Sequence, residues 1–75
     1  MKVKIKFNKN ILVEAYTFTT PEMVGKVVEA NYNPQGGYAD VPDLELREAG
    51  AGDTVYRSVG SWAFSDEEFE VISDV

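Results

Sequence analysis

Lys2, Lys4 and Lys6 alternate strictly with Val3, Ile5 and Phe7 at the start of the chain, the period-two signature of a strand with one buried face. Asn8-Lys9-Asn10 tolerates turn geometry, and Ile11 to Phe18 is rich in β-branched and aromatic side chains. Residues 2–18 therefore read as a hairpin. Thr20 before Pro21 is a good helix start, but Gly25 and the adjacent valines 27 and 28 weaken the helix that would follow. The preferred reading is a turn and then a strand from about Val24 to Tyr32, with at most one short helix near residues 20–30.

Asn33-Pro34-Gln35-Gly36-Gly37 is the strongest breaker in the chain, because proline withholds a ladder donor and paired glycines permit positive φ. It predicts an exposed loop. Tyr38 to Val41 and Leu44 to Glu48 read as short strands interrupted at Pro42, a residue suited to an edge or a bulge. Gly50-Ala51-Gly52-Asp53 marks another turn before a strand over Thr54 to Val59. The last unit runs through Trp62 and Phe64, the acidic turn Ser65-Asp66-Glu67-Glu68, and Phe69 to Ser73. Short strands with turn signals every 8–12 residues predict one mostly β domain over residues 1–75, a small antiparallel barrel or sandwich.

Composition narrows the chemistry. The chain has 75 residues and neither histidine nor cysteine. A Ser-His-Asp triad, a thiolate nucleophile, a disulfide framework and a cysteine zinc knuckle are thereby excluded. Charge is sorted along the sequence: residues 1–10 carry four lysines and no acid, whereas the other 65 carry 3 basic and 13 acidic side chains, for a net charge of −6 overall. That balance disfavours direct binding to nucleic acid or an anionic membrane, which need clustered Lys and Arg. It favours a protein partner with a basic surface. The alternating start lacks the continuous apolar segment of a signal peptide, and no stretch approaches membrane-spanning length. With cysteine absent as well, a cytoplasmic location is expected.

Trp62-Ala63-Phe64-Ser65-Asp66-Glu67-Glu68-Phe69-Glu70-Val71-Ile72 resembles the end of an SH3-like barrel, in which an aromatic strand enters a tight turn and a final short strand closes the sheet. Val24-Gly25-Lys26-Val27-Val28 is similar to the early strand of barrels in the KOW and SH3-like group. The resemblance implies an SH3-like fold and assigns no binding residues. The tyrosine-rich peptide-binding signature of true SH3 domains is missing near the start.

Candidate sites are few. Asp66, Glu67, Glu68 and Glu70 put four carboxylates within five positions, which could divide acid and base roles or form a solvated acidic turn capped by Ser65. The second reading is favoured. Asp40, Asp43 and Glu45, or the 66–70 cluster, offer oxygen ligands to a hard cation, but neither spacing matches an EF-hand loop, so no metal or cofactor is expected. Gly36-Gly37 and Gly50-Ala51-Gly52 read as turns, since no lysine-bearing helix start follows either. Among the aromatics, Trp62 and Phe64 share a face by alternation and belong inside, and Tyr56 remains open between core and surface. Tyr32 and Tyr38, flanking the breaker, are the candidates for an interface. The expected function is that of a non-enzymatic acidic protein-binding domain. Its most concrete form is a phage-type inhibitor, of the anti-restriction or anti-CRISPR class, that docks carboxylates on a basic nucleic-acid-binding protein. The alternative is an SH3-like interaction module of a larger assembly that binds through Tyr32, Tyr38 and Trp62.

Overall fold

In a computed structural model, described here for residues 1–13, 16–52 and 60–75, the chain forms five antiparallel strands in one sheet. The strands are β1 (Lys2–Phe7), β2 (Val27–Asn33), β3 (Tyr38–Pro42), β4 (Ser61–Ser65) and β5 (Phe69–Asp74). The spatial order is β4-β3-β2-β1-β5. One α-helix, α1 (Asp43–Glu48), and 3-10 turns at Lys9–Leu12, Pro21–Met23 and Asp66–Glu68 complete the described elements. The expectation of a mostly β, antiparallel fold is met. The expected strand over 54–59 and Tyr56 lie outside the described residues.

The connection between β4 and β5 shows how the sheet is shaped. These strands lie at opposite edges of the order, so in a flat sheet four gaps would separate them by roughly 19 Å. Three residues, Asp66–Glu68, join them; at about 2 Å rise per 3-10 residue they cannot span that distance. The sheet must coil until its edges meet at this end, giving a partly open barrel. Phe7 of β1 and Phe64 of β4 accordingly pack with ring centroids 4.9 Å apart although two strands lie between them in the sheet. The core inside the coil comprises Val3, Ile5 and Phe7, Val28 and Ala30, Ala39 and Val41, and Phe64, extended by Ile11, Phe18, Met23, Leu46 and Phe69 from turns and edges.

Two local expectations are corrected. Residues 2–18 are not a hairpin: β1 is an interior strand, with β2 and β5 occupying both sides. The chain after Phe7 instead enters a 3-10 turn capped by Asn8, whose Oδ1 accepts from the Asn10 N–H at 2.8 Å. The segment Leu44 to Glu48 is helical, because Pro42 sits extended at the helix start and Asp43 and Glu45 fall in its first turn, where carboxylates suit the positive end of the dipole. Among the described residues the one α-helix is Asp43–Glu48, and near residues 20–30 the chain makes the 3-10 turn Pro21–Met23, within the expected limit of one short helix there. Gly50 stops α1 at φ 102°, a left-handed conformation that glycine adopts without strain; beyond it the Ala51 N–H donates back to the Leu46 carbonyl at 3.0 Å.

The short helix also completes the sheet. The β2–β3 pairing runs from Asn31↔Asp40 to Asn33↔Tyr38, and the earlier residues of β2 are not paired with β3. At Glu29 the backbone N–H donates to Oε1 of Glu45 on α1, 2.8 Å away. A helix carboxylate therefore takes the place of the missing strand carbonyl.

Candidate functional site

The acidic turn is formed by the same short link that coils the sheet. Ser65 ends β4, and residues Asp66–Glu68 make one 3-10 turn before Phe69 dives into the core. Backbone and amide groups from two other segments hold it. The Asn8 and Asn10 side-chain amides both donate to the Glu67 carbonyl, at 3.0 and 2.9 Å. The Asn8 N–H donates to the Glu68 carbonyl at 3.0 Å, and the Asp66 N–H donates to the Gly37 carbonyl at 2.9 Å. The 3-10 turn after β1 and the β2–β3 loop thus converge on the acids.

The four carboxylates do not share one environment. Asp66 and Glu67 project into solvent. Glu70 is exposed on the outer face of the sheet, directly opposite Lys6 of β1. Glu68 departs from the solvated turn expected from sequence: it is 6% exposed. Its Oε1 accepts from the Ser65 N–H at 2.9 Å and from the Ser65 Oγ at 3.2 Å, the glutamate arm of a capping box. The Ser-x-x-Glu spacing carried that signal, and the neighbouring acids masked it. Glu68→Ala leaves the Ser65 N–H without its acceptor and is expected to cost about 1–2 kcal/mol, the usual loss for a helix-cap interaction. Urea denaturation, with Asp66→Ala as the exposed control near zero, checks this.

Tyr32 and Tyr38 flank the loop at the same end of the sheet but face opposite ways. Tyr32 is paired with the buried Ala39 and packs edge-on against Phe69 at 5.8 Å. Tyr38 is paired with Asn33 and Ser65 on the outer face, is 36% exposed, and its hydroxyl accepts from Asn33 Nδ2 at 3.3 Å. Gly37, at φ 72°, lies against the Asp66 carboxylate; the breaker loop therefore brings Tyr38 close to Asp66. Trp62 turns toward the core and stacks at a tilt on Phe18, 4.9 Å away. Tyr32, Tyr38 and Trp62 consequently do not form one platform.

The lysine face is answered across the strands. Lys4 lies opposite Glu29 on β2, and Lys6 opposite Glu70 on β5. Such cross-strand pairs lower the local field of the lysine row and leave the turn at Asp66 and Glu67 as the acidic projection. Val71, although paired with the buried Ile5, is 40% exposed because β5 is an edge strand.

A cleft of about 170 Å³ opens beside the turn, lined by Asn10, Val13, Ser65, Glu67 and Glu68. It falls below the 300–1,000 Å³ typical of pockets for drug-sized ligands. Asn10 and Val13 are the residues that sequence reading missed, since nothing in the local pattern showed that the turn after β1 would pack against residues 65–68. Among the described residues no group of three or more acids is placed to hold a metal ion, and no helix is long and apolar enough to cross a membrane. Compared with protein-family models, with curated proteins and with solved structures, the chain matches none.

Proposed function

We propose that this chain is a non-enzymatic protein-binding domain that acts in the cytoplasm. In this reading it docks carboxylates on the basic surface of a nucleic-acid-binding protein, in the manner of a phage-encoded inhibitor of a restriction or CRISPR system. The observation that carries the reading is the presentation of Asp66 and Glu67 from a turn held by Asn8, Asn10 and Gly37. A turn whose backbone is held before contact loses little backbone freedom on binding. Its carboxylates stand in for phosphates that a basic groove is built to receive. A non-enzymatic role agrees with a chain that lacks histidine and cysteine and whose least exposed turn carboxylate, Glu68, is engaged by Ser65. The interaction-module alternative has less support, because its three aromatic residues do not share a face.

The test is inhibition of purified restriction nucleases and CRISPR effector complexes by the protein. The expected result is inhibition of at least one basic target. The triple variant Asp66→Asn/Glu67→Gln/Glu70→Gln should slow association by about tenfold or more at low salt, with a smaller difference at high salt, as for charges that steer encounter. Equal inhibition by the triple variant, or no inhibition of any target by the wild-type chain, overturns the reading.

A further inference from the structure

Side chains of this fold take up backbone groups where strands lack a neighbour. The Ala63 carbonyl on the β4 edge accepts from the Tyr16 hydroxyl at 2.6 Å, and the Glu29 N–H, on the part of β2 that β3 leaves unpaired, donates to Glu45 at 2.8 Å. The other edge of the sheet, β5, is open. Antiparallel strands turn the backbone groups of successive residues alternately toward and away from a given neighbour. The Asn8 N–H donates to the Glu68 carbonyl and the Val75 N–H to the Lys2 carbonyl, while Phe7 uses its own N–H and carbonyl on Lys26 and Gly25 beside β2. Phe69 and Val71, opposite Phe7 and Ile5, therefore aim their N–H and C=O groups away from the sheet, as does Asp74 opposite Val3. A register shift at Ile72 separates the two stretches. No partner meets these outward groups among the described residues, and residues 70–75 are all exposed.

We infer that the free edge of β5 receives an extended segment of the partner, in which lysine or arginine alternates with apolar residues, as an added strand. Charge and register choose that occupant. Residues 61–75 contain five acids and no lysine or arginine, so a second copy set edge to edge along β5 would bring like charges side by side. On its inner side β5 already pairs with a segment of the inferred kind: β1 sets Lys6 opposite Glu70 and Ile5 opposite Val71. A strand of the same alternation on the outer side puts a second base beside Glu70 and an apolar side chain beside Val71, which covers the exposed valine. The inference rests on the protein-docking reading above and names the part of the basic partner that is bound. Asp66 and Glu67 then act on encounter, and the β5 ladder holds the complex once formed.

Titration of the full chain with the peptide acetyl-Lys-Val-Lys-Thr-Lys-Val-amide, followed by amide NMR and hydrogen exchange, tests it. One control peptide is N-methylated at its valines and threonine, whose N–H groups would face β5; the other, Lys-Lys-Lys-Val-Thr-Val, keeps the charge and loses the alternation. Expected are saturable shifts along β5 with the alternating peptide alone, and exchange slowed about tenfold or more at the Val71 and Asp74 amides. Val71→Pro removes an outward N–H that β1 does not use and should weaken binding about tenfold. Glu70→Lys reverses the charge beside the added strand and should weaken it at low salt, with a smaller difference at high salt. A dispersed amide spectrum shows that each variant is folded. No saturable binding, equal binding of either control peptide, shifts confined to Asp66–Glu68 without protection of Val71, or undiminished binding by both variants overturns the inference. Protection of Val71 that rises with protein concentration in the absence of peptide gives the edge to a second copy and also overturns it. In the nuclease assay, full inhibition by Val71→Pro with loss in the triple variant overturns edge docking and leaves the wider reading standing. Saturable edge binding without inhibition of any nuclease supports the edge and overturns the wider reading.

Discussion

Phe64→Ala is expected to leave the protein largely unfolded or on the edge of unfolding. Phe64 is fully buried and is the aromatic centre of the coil, with ring contacts to Phe7 at 4.9 Å, Tyr16 at 5.4 Å and Phe18 at 6.4 Å. It joins the β4 edge to the interior strand β1 near the opposite edge, so its removal opens a cavity where the two ends of the sheet approach. Truncation of a buried phenylalanine costs roughly 3–5 kcal/mol, and a chain of this length has a total stability of about 4–11 kcal/mol at usual per-residue values. The substitution therefore removes much or all of the margin. Urea denaturation followed by circular dichroism, and amide dispersion in a two-dimensional NMR spectrum, read the effect. Trp62, only partly buried at the rim of the same cluster, serves as the comparison and should cost less when replaced by alanine. A loss below about 1 kcal/mol for Phe64→Ala would contradict a core centred on this ring.

Leu46→Ala should have the second largest effect. Leu46 is the only buried residue of the six-residue α1, and a helix that short has no stability of its own in water. Its docking depends on one side chain. The expected loss is about 2–5 kcal/mol, the range for a buried leucine. With α1 undocked, the Glu29 N–H loses its Glu45 acceptor. Hydrogen exchange at that amide should therefore accelerate more than at the β1–β5 ladder. Uniform acceleration across the sheet would mean instead that α1 is part of one cooperative unit with the strands.

How far the sequence could be read depended on whether each pattern was local. Alternation at Val3, Ile5 and Phe7 needs no partner to be recognised, and the β1 burial pattern follows it position by position. The breaker Asn33 to Gly37 likewise carries its own geometry: the Asn33 side chain and backbone carbonyl accept from Gly36 and Gly37, closing the β2–β3 hairpin where proline and glycine predicted it. By contrast, Leu44 to Glu48 is too short to show a helical period. Its state was set by Pro42 on one side, Gly50 on the other, and the pocket that takes Leu46. The segment after Asn10 has the β-branched and aromatic content of a strand, yet β1 had no free side to offer it.

The acidic cluster was equally legible as composition and illegible as a site. Asp66, Glu67, Glu68 and Glu70 are visible in the sequence as four similar charges. Their separation into two projecting acids, one cross-strand partner of Lys6 and one buried cap is a tertiary property. By itself the sequence determined the antiparallel β character, the inward face of β1, the breaker loop and the sign of the surface, because these depend on neighbours two to four residues away. Only the tertiary structure decided the strand order, the coil imposed by a three-residue link between opposite edges, and the meeting of Asn10 and Val13 with Glu67 and Glu68. Those contacts join residues more than fifty positions apart, and no local preference encodes a meeting that arises only when the sheet coils.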